Sequence, residues 1–311
     1  MNGLLAQALA AYRLEEAEAV FLQHNENLTY RVADQYLLRI HTPAPGVYAP
    51  STADDRRAEL ALLQHLRLRG MPVQQPVPAA TGDMVAILQD GTAATLLHWL
   101  PGQVLSSKEY ISGLCFAAGE MTFRLHQAAE GFAHPCLRTY DGAEVLAKAD
   151  LLRSMVQRHR LGSEHADILC ATCRMVAQSF AASTDKPIAI HNDLSASNIL
   201  QTETGPVPID FSLCGLGLPM TDLGMLLAGF GSTAQRSAAV RGYQAAGGFF
   251  RHQEMEAGFI YGLLGALVFH ADTWPKEPWF AEKLLRREHM ELLPFIEGKP
   301  FFDSEMNFIY R

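Results

Sequence analysis

The residues of this chain that could do chemistry cluster in two short segments. IHNDLSASNIL carries His191, Asp193 and Asn198 between apolar runs, and VPIDF, shortly after it, carries Asp210. A carboxamide and a carboxylate together offer the oxygen ligands that a hard cation such as Mg²⁺ prefers. The remaining carboxylate can orient a hydroxyl group and accept its proton. Phosphoryl transfer requires this division between metal ligands and a positioning carboxylate.

The elements around these segments are expected to bring the side chains together. PIAIH is predicted to be a short strand, and NILQ and VPIDF are predicted to form a hairpin around the turn ETG. The hairpin would place Asn198 and Asp210 close together, both facing the loop that holds Asp193. His191 is expected to hold that loop in place. The alternative is that His191 is a hydrogen-bonded core residue and that the polar residues after it are turn formers.

The spacing His-x-Asp-x4-Asn matches the catalytic loop of protein kinases. Together with PIDFSLCGLGLPMTDLG it resembles the aminoglycoside phosphotransferase/choline kinase family, whose fold is similar to that of protein kinases. The resemblance continues in order through NENLTYRV, YLLRIH, AELALLQHL, LLHWLPGQ and FRLHQA. It implies that Asp193 is the catalytic aspartate and that Asn198 and Asp210 bind magnesium. It also implies that Asp222 braces the catalytic loop, and Asp222 could equally be a helix N-cap in TDLGMLL.

For the nucleotide, the resemblance implies a phosphate loop, a basic residue and a hinge. Arg39 stands where the family has a lysine, and Glu59 on the following helix is its expected ion-pair partner. Arginine stays charged and binds phosphate in a bidentate manner, although Arg39 could also be a solvated strand residue and Glu59 an exposed one. Instead of a GxGxxG loop, HNENLTY offers backbone N–H groups and the side chain of Asn27. The backbone of His98 and Leu100, in LLHWLPG, is expected to bind the adenine.

The order of the predicted elements defines the fold class. EAVFLQH, LTYRV and QYLLRIH predict three strands, and DMVAILQD and ATLLHWL predict two more. Between them, TADDRRAELALLQHLRLRG predicts a helix capped at Ser51 or Thr52 and closed by Gly70, followed by PVQQPVPA as a connector. From 106 to 183, and beyond 220, the pattern is helical.

We therefore predict an α+β, two-lobed, protein-kinase-like fold with a cleft between its lobes. Residues 1–99 are expected to form a nucleotide-binding lobe, an antiparallel sheet with one helix. Residues 100–311 are expected to form a larger, mainly helical lobe that holds the catalytic loop, the metal site and the acceptor pocket.

Composition argues against several classes of function. The formal net charge of −8 disfavours nucleic acid as a partner and mildly favours cationic or metal-bound ones. The apolar run AGFIYGLLGALVF is too short to span a bilayer and predicts a buried helix. MNGLLAQALAAYRLEEAEA lacks the basic start of a signal peptide and is predicted to be an amphipathic helix. Five cysteines, an odd number, with CATC in an apolar helical pattern, favour free thiols and a cytoplasmic location.

These features predict a phosphotransferase that uses ATP and Mg²⁺ and a small-molecule hydroxyl acceptor: an aminoglycoside, an amino alcohol, homoserine or a sugar. The last hundred residues are expected to form the acceptor pocket, and Glu254, Glu256, His270 and Asp272 either face it or are surface and core residues. One alternative is a protein serine/threonine kinase, although the short segment from PIDFS to TDLG leaves no room for an activation segment. Another is a nucleotide-binding module without turnover. The sequence leaves the acceptor, the choice between ATP and GTP, and the oligomeric state open.

Overall fold

The computed structural model describes residues 2–44 and 51–302. Backbone contacts divide the chain into two units, Met1–Gly102 with Phe132–Leu137, and Gln103–Gly131 with Arg138–Arg311. An antiparallel sheet dominates the first unit and helices dominate the second. The fold class is therefore α+β, as the order of the sequence patterns predicted.

The described part of the first unit contains one six-stranded sheet. Its strands are β1 (Ala19–His24), β2 (Leu28–Val32), β3 (Tyr36–Ile40), β4 (Pro76–Val77), β5 (Val85–Ile87) and β6 (Ala93–His98). All pairs are antiparallel, in the order β1-β2-β3-β6-β4, and β5 also pairs with β6. The prediction of a connector at PVQQPVPA was wrong in part, because Pro76 and Val77 pair with Leu97 and Leu96. Since proline has no N–H to donate, this short strand lies at the end of the strand order.

The same unit contains the helices α1 (Asn2–Ala11) and α2 (Ala53–Leu68). Thr52 caps α2: its hydroxyl accepts from the amide of Asp55, and the Asp55 carboxylate accepts from the amide of Thr52 at 2.6 Å. This reciprocal pair is a capping box. Gly70, just past the helix, has a φ of +81°, a left-handed conformation that favours glycine. Both predicted ends of this helix are confirmed.

The second unit is mainly helical. In its described residues the helices are α3 (Ser112–Ala129), α4 (Gly142–Gln157), α5 (Ser163–Ala182), α6 (Pro219–Gly229), α7 (Thr233–Ala245), α8 (His252–Phe269), α9 (Phe280–Arg287) and α10 (Leu293–Ile296), with a π-helical stretch at Glu288–Leu292 and 3₁₀ turns at Ala196–Asn198 and Trp274–Lys276. The predicted helical pattern extends to the last residue, but residues 303–311 lie outside the described part.

Short strands in the second unit frame the loop of interest. They are β7 (Gln103–Val104), β8 (Arg138–Thr139), β9 (Ile188–Ile190), β10 (Ile199–Thr202), β11 (Gly205–Pro208) and β12 (Gly215–Gly217). They form two three-stranded sheets, β11-β10-β7 and β8-β12-β9. The hairpin β10–β11 matches the predicted one, and β9 leads directly into His191. The strands β7, β8 and β12 are too short for a sequence pattern to predict.

Two pairs of helices pack with their backbones in close contact. A Cβ atom at Gly119 of α3 would lie 1.8 Å from the carbonyl oxygen of Ala239 in α7, and one at Gly242 of α7 would lie 1.9 Å from that of Phe116. Helices α6 and α8 meet in the same way at Gly224 and Gly258. Because only glycine permits this approach, each pair is held at a fixed distance by close packing.

The apolar run is buried and the cysteines are free thiols, both as predicted. The apolar run of α8 includes Phe259 and Ile260, which are fully enclosed. Cys170 and Cys173 are buried in α5, and all five cysteines are free thiols. Within residues 2–44 and 51–302, no helix has both the length and the apolar composition needed to cross a membrane.

Candidate active site

A buried carboxylate organises the loop after β9. Asp222, in the first turn of α6, has no solvent exposure. Its Oδ2 accepts from the backbone N–H of His191 at 2.8 Å, and its Oδ1 accepts from that of Asn192 at 2.7 Å. Burial raises the pKa of Asp222. The hydrogen bonds from His126 and from the His191 backbone lower it by a larger amount, so its pKa lies below the ordinary value. The group is therefore a carboxylate that fixes two consecutive amides of the loop.

The ring of His191 ties the same loop to the hairpin. Its Nε2 lies 2.9 Å from the carbonyl oxygen of Ile209, and its Nδ1 lies 3.3 Å from the amide nitrogen of Asp193. Since the carbonyl can only accept and the amide can only donate, Nε2 is the ring nitrogen that donates and Nδ1 is the one that accepts. The ring also packs against Phe211, with centroids 4.4 Å apart. His191 thus links the residue before Asp210 to Asp193.

Asp193 and Asn198 form a direct side-chain pair. The carboxamide nitrogen of Asn198 donates to the Oδ2 of Asp193 at 2.7 Å and to the carbonyl oxygen of Asp193 at 2.8 Å. Both bonds use the amide N–H groups, so the carboxamide oxygen of Asn198 points away from Asp193. Asp193 itself is partly exposed. The loop therefore presents one carboxylate held by its neighbour and one amide oxygen turned elsewhere.

Asp210 lies beside Asn198 across the end of the hairpin. The amide of Ile209 donates to the carbonyl oxygen of Asn198 at 2.9 Å, one residue before Asp210. Asp210 has a φ of +61°, a strained conformation for a residue other than glycine. Such strain is common at functional sites, where the surrounding structure maintains it.

The side chains near this turn offer the kind of ligand atom that a hard cation prefers. Asn198 and Asp210 offer amide and carboxylate oxygens and no nitrogen or sulfur. In the described part of the chain, no group of three or more His, Cys, Asp and Glu side chains is placed to hold a metal. Two protein ligands fit the way Mg²⁺ is usually bound, through one or two protein groups with water and substrate phosphate completing the shell.

In the first unit, Arg39 and Glu59 form a buried ion pair. Nη2 of Arg39 lies 2.6 Å from Oε1 of Glu59, and their side chains are 5% and 1% exposed. Arg56, one helical turn before Glu59, reaches the other carboxylate oxygen at 3.0 Å and is also buried. Two guanidinium groups therefore contact one buried carboxylate. The sequence patterns did not single out Arg56, although its i, i+3 spacing from Glu59 on α2 is the signal that could have found it.

Asn27 belongs to a hydrogen-bonded chain next to this cluster. Nδ1 of His41 donates to Oδ1 of Asn27 at 2.6 Å, and Nε2 of His41 accepts from the hydroxyl of Thr95 at 3.0 Å. Burial and the charges of Arg56 and Arg39 hold the pKa of His41 well below its ordinary value, so the ring is neutral. Asn27 is itself buried, its amide oxygen accepts from His41, and its amide N–H₂ is the group that can donate to a ligand.

The two predicted hinge residues, His98 and Leu100, lie at the end of β6 and just after it. The backbone N–H of His98 donates to the carbonyl oxygen of Gln75 at 2.8 Å, and its ring packs against Tyr36. Of the His98 backbone groups, only the carbonyl can therefore serve a ligand. Leu100 lies two residues beyond the strand, at the end of the first unit.

The polar residues near the C-terminal end of the chain hold structure together. Glu254 is buried and pairs with Arg251 at 3.1 Å. Glu256 is buried and accepts from the amide of Phe301 at 2.9 Å. The ring of His270 stacks on Trp274, with centroids 4.3 Å apart, and Asp272 is an ion-pair partner of Arg158 at 3.5 Å. These contacts favour the alternative that the four residues are surface and core residues.

Comparison with known proteins identifies the family to which this chain belongs. A family model described as a phosphotransferase enzyme family matches residues 19–257. Amicoumacin kinase of Bacillus subtilis (strain 168) is 25% identical over 237 residues, which cover 72% of this chain and 66% of that protein. The chain thus matches slightly less than two thirds of the length of this curated relative.

Solved structures show the same fold. A structure of amicoumacin kinase hAmiN in complex with AMP-PNP, Ca²⁺ and Ami has a TM-score of 0.73 at 17% identity, over 99% of this chain and 96% of that one. The GDP complex of wild-type aminoglycoside 2'-phosphotransferase-IIIa has a TM-score of 0.67 at 14% identity, over 92% of this chain and 97% of that one. At these identities the likeness is one of fold.

Proposed function

This chain belongs to the phosphotransferase enzyme family, and from that premise we propose that it is a kinase that transfers the γ-phosphoryl group of ATP to a hydroxyl group of a small molecule. The observation that carries the proposal is the bond from Asn198 Nδ2 to Asp193 Oδ2. It joins the carboxylate proposed to receive the acceptor to the carboxamide proposed to bind the metal, beside the turn that holds Asp210.

Asp193 is the proposed catalytic residue. Its carboxylate accepts a hydrogen bond from the acceptor hydroxyl, points the oxygen at the phosphorus in line with the leaving group, and takes the proton as the new bond forms. Asp222 and His191 do not touch the substrate. They fix the backbone amides of the two residues before Asp193 and of Asp193 itself, so the carboxylate is already in place before the acceptor arrives.

Asn198 and Asp210 are the proposed metal ligands. A bound Mg²⁺ supplies charge neutralisation and orientation of the phosphate oxygens. The role of this chain is to hold two oxygen ligands at fixed positions. Asn198 does so because its N–H groups are occupied by Asp193, and Asp210 because its backbone is fixed in a left-handed turn.

Arg39 is proposed to bind the phosphates of the nucleotide. Glu59 and Arg56 surround it: Glu59 orients its guanidinium group, and Arg56 shares the carboxylate. Both arginines contact the same carboxylate, and an arginine can bind phosphate oxygens with two parallel hydrogen bonds. The family's lysine would supply one point charge instead, so a different phosphate pose is expected here.

The base and the phosphate loop complete the proposed nucleotide site. The carbonyl of His98 and the N–H of Leu100 are proposed to pair with the adenine edge. The turn between β1 and β2, with the amide N–H₂ of Asn27, is proposed to cover the phosphates.

The acceptor is proposed to be a hydroxyl compound that also carries amino groups. The names of the similar proteins, which include an amicoumacin kinase and an aminoglycoside phosphotransferase, support that class. The formal net charge of −8 is in keeping with a cationic acceptor. Aminoglycosides, amino alcohols and homoserine are therefore the first compounds to test, with neutral sugars as the comparison.

The test is an acceptor screen that detects the phosphorylated product. The purified chain is incubated with Mg²⁺ and either ATP or GTP against a panel of aminoglycosides, amino alcohols, homoserine and sugars, and products are identified by mass. An Asp193→Asn variant, purified and assayed in parallel, measures the background activity of contaminating kinases. Product formed by the unaltered chain and not by the variant supports the proposal. Nucleotide binding without any product over the whole panel would favour a nucleotide-binding module without turnover.

A further inference from the structure

The turn between β1 and β2 is attached to the segment that follows β3. Nε2 of His24, the last residue of β1, lies 3.1 Å from the carbonyl oxygen of Thr42. Because the carbonyl can only accept, the imidazole of His24 is the donor. The backbone amide of Ala44 donates to the carbonyl oxygen of Asn25 at 2.7 Å. The turn is therefore held at two points by residues that lie beyond the end of β3.

The register of β2 and β3 adds a third point of attachment, between the side chains of Asn27 and His41. Thr29 pairs with Arg39 in the antiparallel ladder, and side chains two residues apart in a strand lie on the same face of a sheet. Asn27 and His41 therefore continue the face that carries Arg39, and Nδ1 of His41 lies 2.6 Å from Oδ1 of Asn27. A shift of either strand by one residue would turn one of the two side chains to the opposite face.

The chemistry of the partners determines where the proton of the His41 ring lies. The amide oxygen of Asn27 can only accept, so Nδ1 carries the proton. Burial and the charges of Arg56 and Arg39 hold the pKa of His41 well below its ordinary value, so the ring carries one proton and not two. Nε2 then accepts from the hydroxyl of Thr95, a fully buried residue, at 3.0 Å. Contacts on both nitrogens thus fix the direction in which His41 donates.

This direction decides which end of the Asn27 carboxamide faces a ligand. The carboxamide has an acceptor, the oxygen, and a donor, the N–H₂ group. Because the oxygen of Asn27 accepts from His41, the N–H₂ group is turned away from the imidazole. Without His41, the carboxamide would be free to turn over and present its oxygen. An oxygen would repel a phosphate group, whereas the N–H₂ group donates to it.

We propose that His41 is a positioning residue for the nucleotide: it turns the amide N–H₂ of Asn27 toward the phosphates and, with His24, holds the β1–β2 turn in place before the nucleotide binds. This inference rests on the function proposed above. The segment HNENLTY has no glycine-rich pattern whose backbone amides would surround a phosphate. A side-chain donor at a fixed position compensates for those amides. A turn that is ordered in advance also loses less conformational entropy on binding.

The first experiment measures the affinities for MgATP and for adenosine in His41→Ala and in His65→Ala. His65 is the control because it lies on α2 of the same unit, where its ring packs against Phe132. For His41→Ala, we expect the affinity for MgATP to fall about 10-fold, since a donor to a charged group is no longer oriented. The affinity for adenosine, which has no phosphate, should stay within about twofold. An affinity for MgATP in His41→Ala equal to that of His65→Ala would overturn the proposal.

Two further variants separate positioning from folding. His41→Asn keeps an N–H donor near the position of Nδ1 and should retain more of the affinity for MgATP than His41→Ala, including where the alanine variant folds poorly. Asn27→Ala should weaken MgATP on its own, and His41→Ala should add little to that loss in the Asn27→Ala background, because His41 acts through Asn27. Fully additive losses from the two alanine changes would contradict the proposed order of action.

A readout that needs no nucleotide tests the attachment of the turn itself. Hydrogen exchange of the backbone amides in residues 24–28 should be faster in His41→Ala than in His65→Ala. Equal exchange rates in the two variants would show that His41 does not hold the turn.

The binding experiments also keep this proposal distinct from the proposed function. If the unaltered chain binds MgATP but phosphorylates no acceptor, the proposed function fails while the role of His41 is still supported by a selective loss of MgATP affinity in His41→Ala. If the unaltered chain does not bind MgATP at all, both proposals fail.

Discussion

The carboxamide nitrogen of Asn198 donates to the carboxylate of Asp193 at 2.7 Å. This bond decides which way each group faces: the amide oxygen of Asn198 points away from Asp193, and one carboxylate oxygen of Asp193 is occupied. It also means that the two residues cannot be exchanged for two carboxylates. A like-charged pair at this distance would force one of the two groups to take up a proton.

Asn198→Asp should therefore lower kcat by about 10²-fold or more, as expected when a general base is no longer available. The acid limb of the pH–rate profile should move to higher pH, because the paired carboxylates share a proton. Asn198→Ala removes the same ligand and the hydrogen bond to Asp193 without adding charge, so it should move that limb in the same direction but by less. A profile for Asn198→Asp with an unshifted acid limb and a wild-type kcat would exclude the proposed pairing.

Asp210→Asn should abolish turnover that depends on Mg²⁺, because it removes the only proposed carboxylate ligand of the metal. It should weaken binding of MgATP much more than binding of adenosine, since the base and ribose do not touch the metal. Calorimetric titrations with the two ligands, at several Mg²⁺ concentrations, provide the measurement. Wild-type activity over the whole magnesium series would show that the metal binds elsewhere.

Arg39→Ala should raise the KM for ATP. Losing a hydrogen bond to a charged group costs roughly 1.5–3 kcal/mol of binding, or about 10- to 150-fold. Arg39→Lys should be tolerated in part, because it keeps the charge and loses the bidentate geometry. Arg57→Ala is the matched control, since Arg57 lies on α2 and its ion pairs with Asp54 and Asp83 are exposed. An unchanged KM in Arg39→Ala would return Arg39 to a purely structural role.

Asp222→Asn should destabilise the fold by about 3 kcal/mol, because it removes one partner from a buried network of charged and polar groups. Since the folded-state pKa of Asp222 lies below its ordinary value, the unfolded state binds the proton more readily. This contribution to stability is therefore fully present above the ordinary aspartate pKa of about 3.9 and is lost as the pH falls through the folded-state pKa. Chemical denaturation of both proteins over that range measures it, and a difference in stability that stays constant as the pH falls would contradict the assignment.

Local chemistry explains which parts of the fold could be predicted from the sequence. The capping box of Thr52 and the hairpin from Asn198 to Asp210 depend on residues that are close in the chain, and the sequence patterns located both. Strand Pro76–Val77 could not be predicted because two residues, one of them proline, have no period of their own. Their strand character comes only from the neighbouring strand β6.

The parts of the candidate site that were missed depend on tertiary contacts. The bond between His126 and Asp222 joins residues 96 positions apart in the sequence, and a single histidine in a helix gives no hint of its partner. Arg56 has a local signal in its spacing from Glu59, but only the fold shows that the same carboxylate also meets Arg39. Asn27 is predicted to offer its side chain to a phosphate, and no sequence pattern indicated that its amide oxygen would contact His41, 14 positions along the chain.

The central claim is that Asp193 positions and deprotonates the acceptor hydroxyl. The most direct test is the rate of phosphate transfer to the acceptor by Asp193→Asn, measured beside Asp167→Asn, a change at an exposed residue of α5. Asn keeps the shape of the side chain and its bond with Asn198, so the affinity for MgATP should be unchanged. We expect transfer to fall by about 10² to 10⁴-fold, while the Asp167→Asn control keeps its rate. Transfer by Asp193→Asn at a rate near that of the unaltered chain would contradict the mechanism.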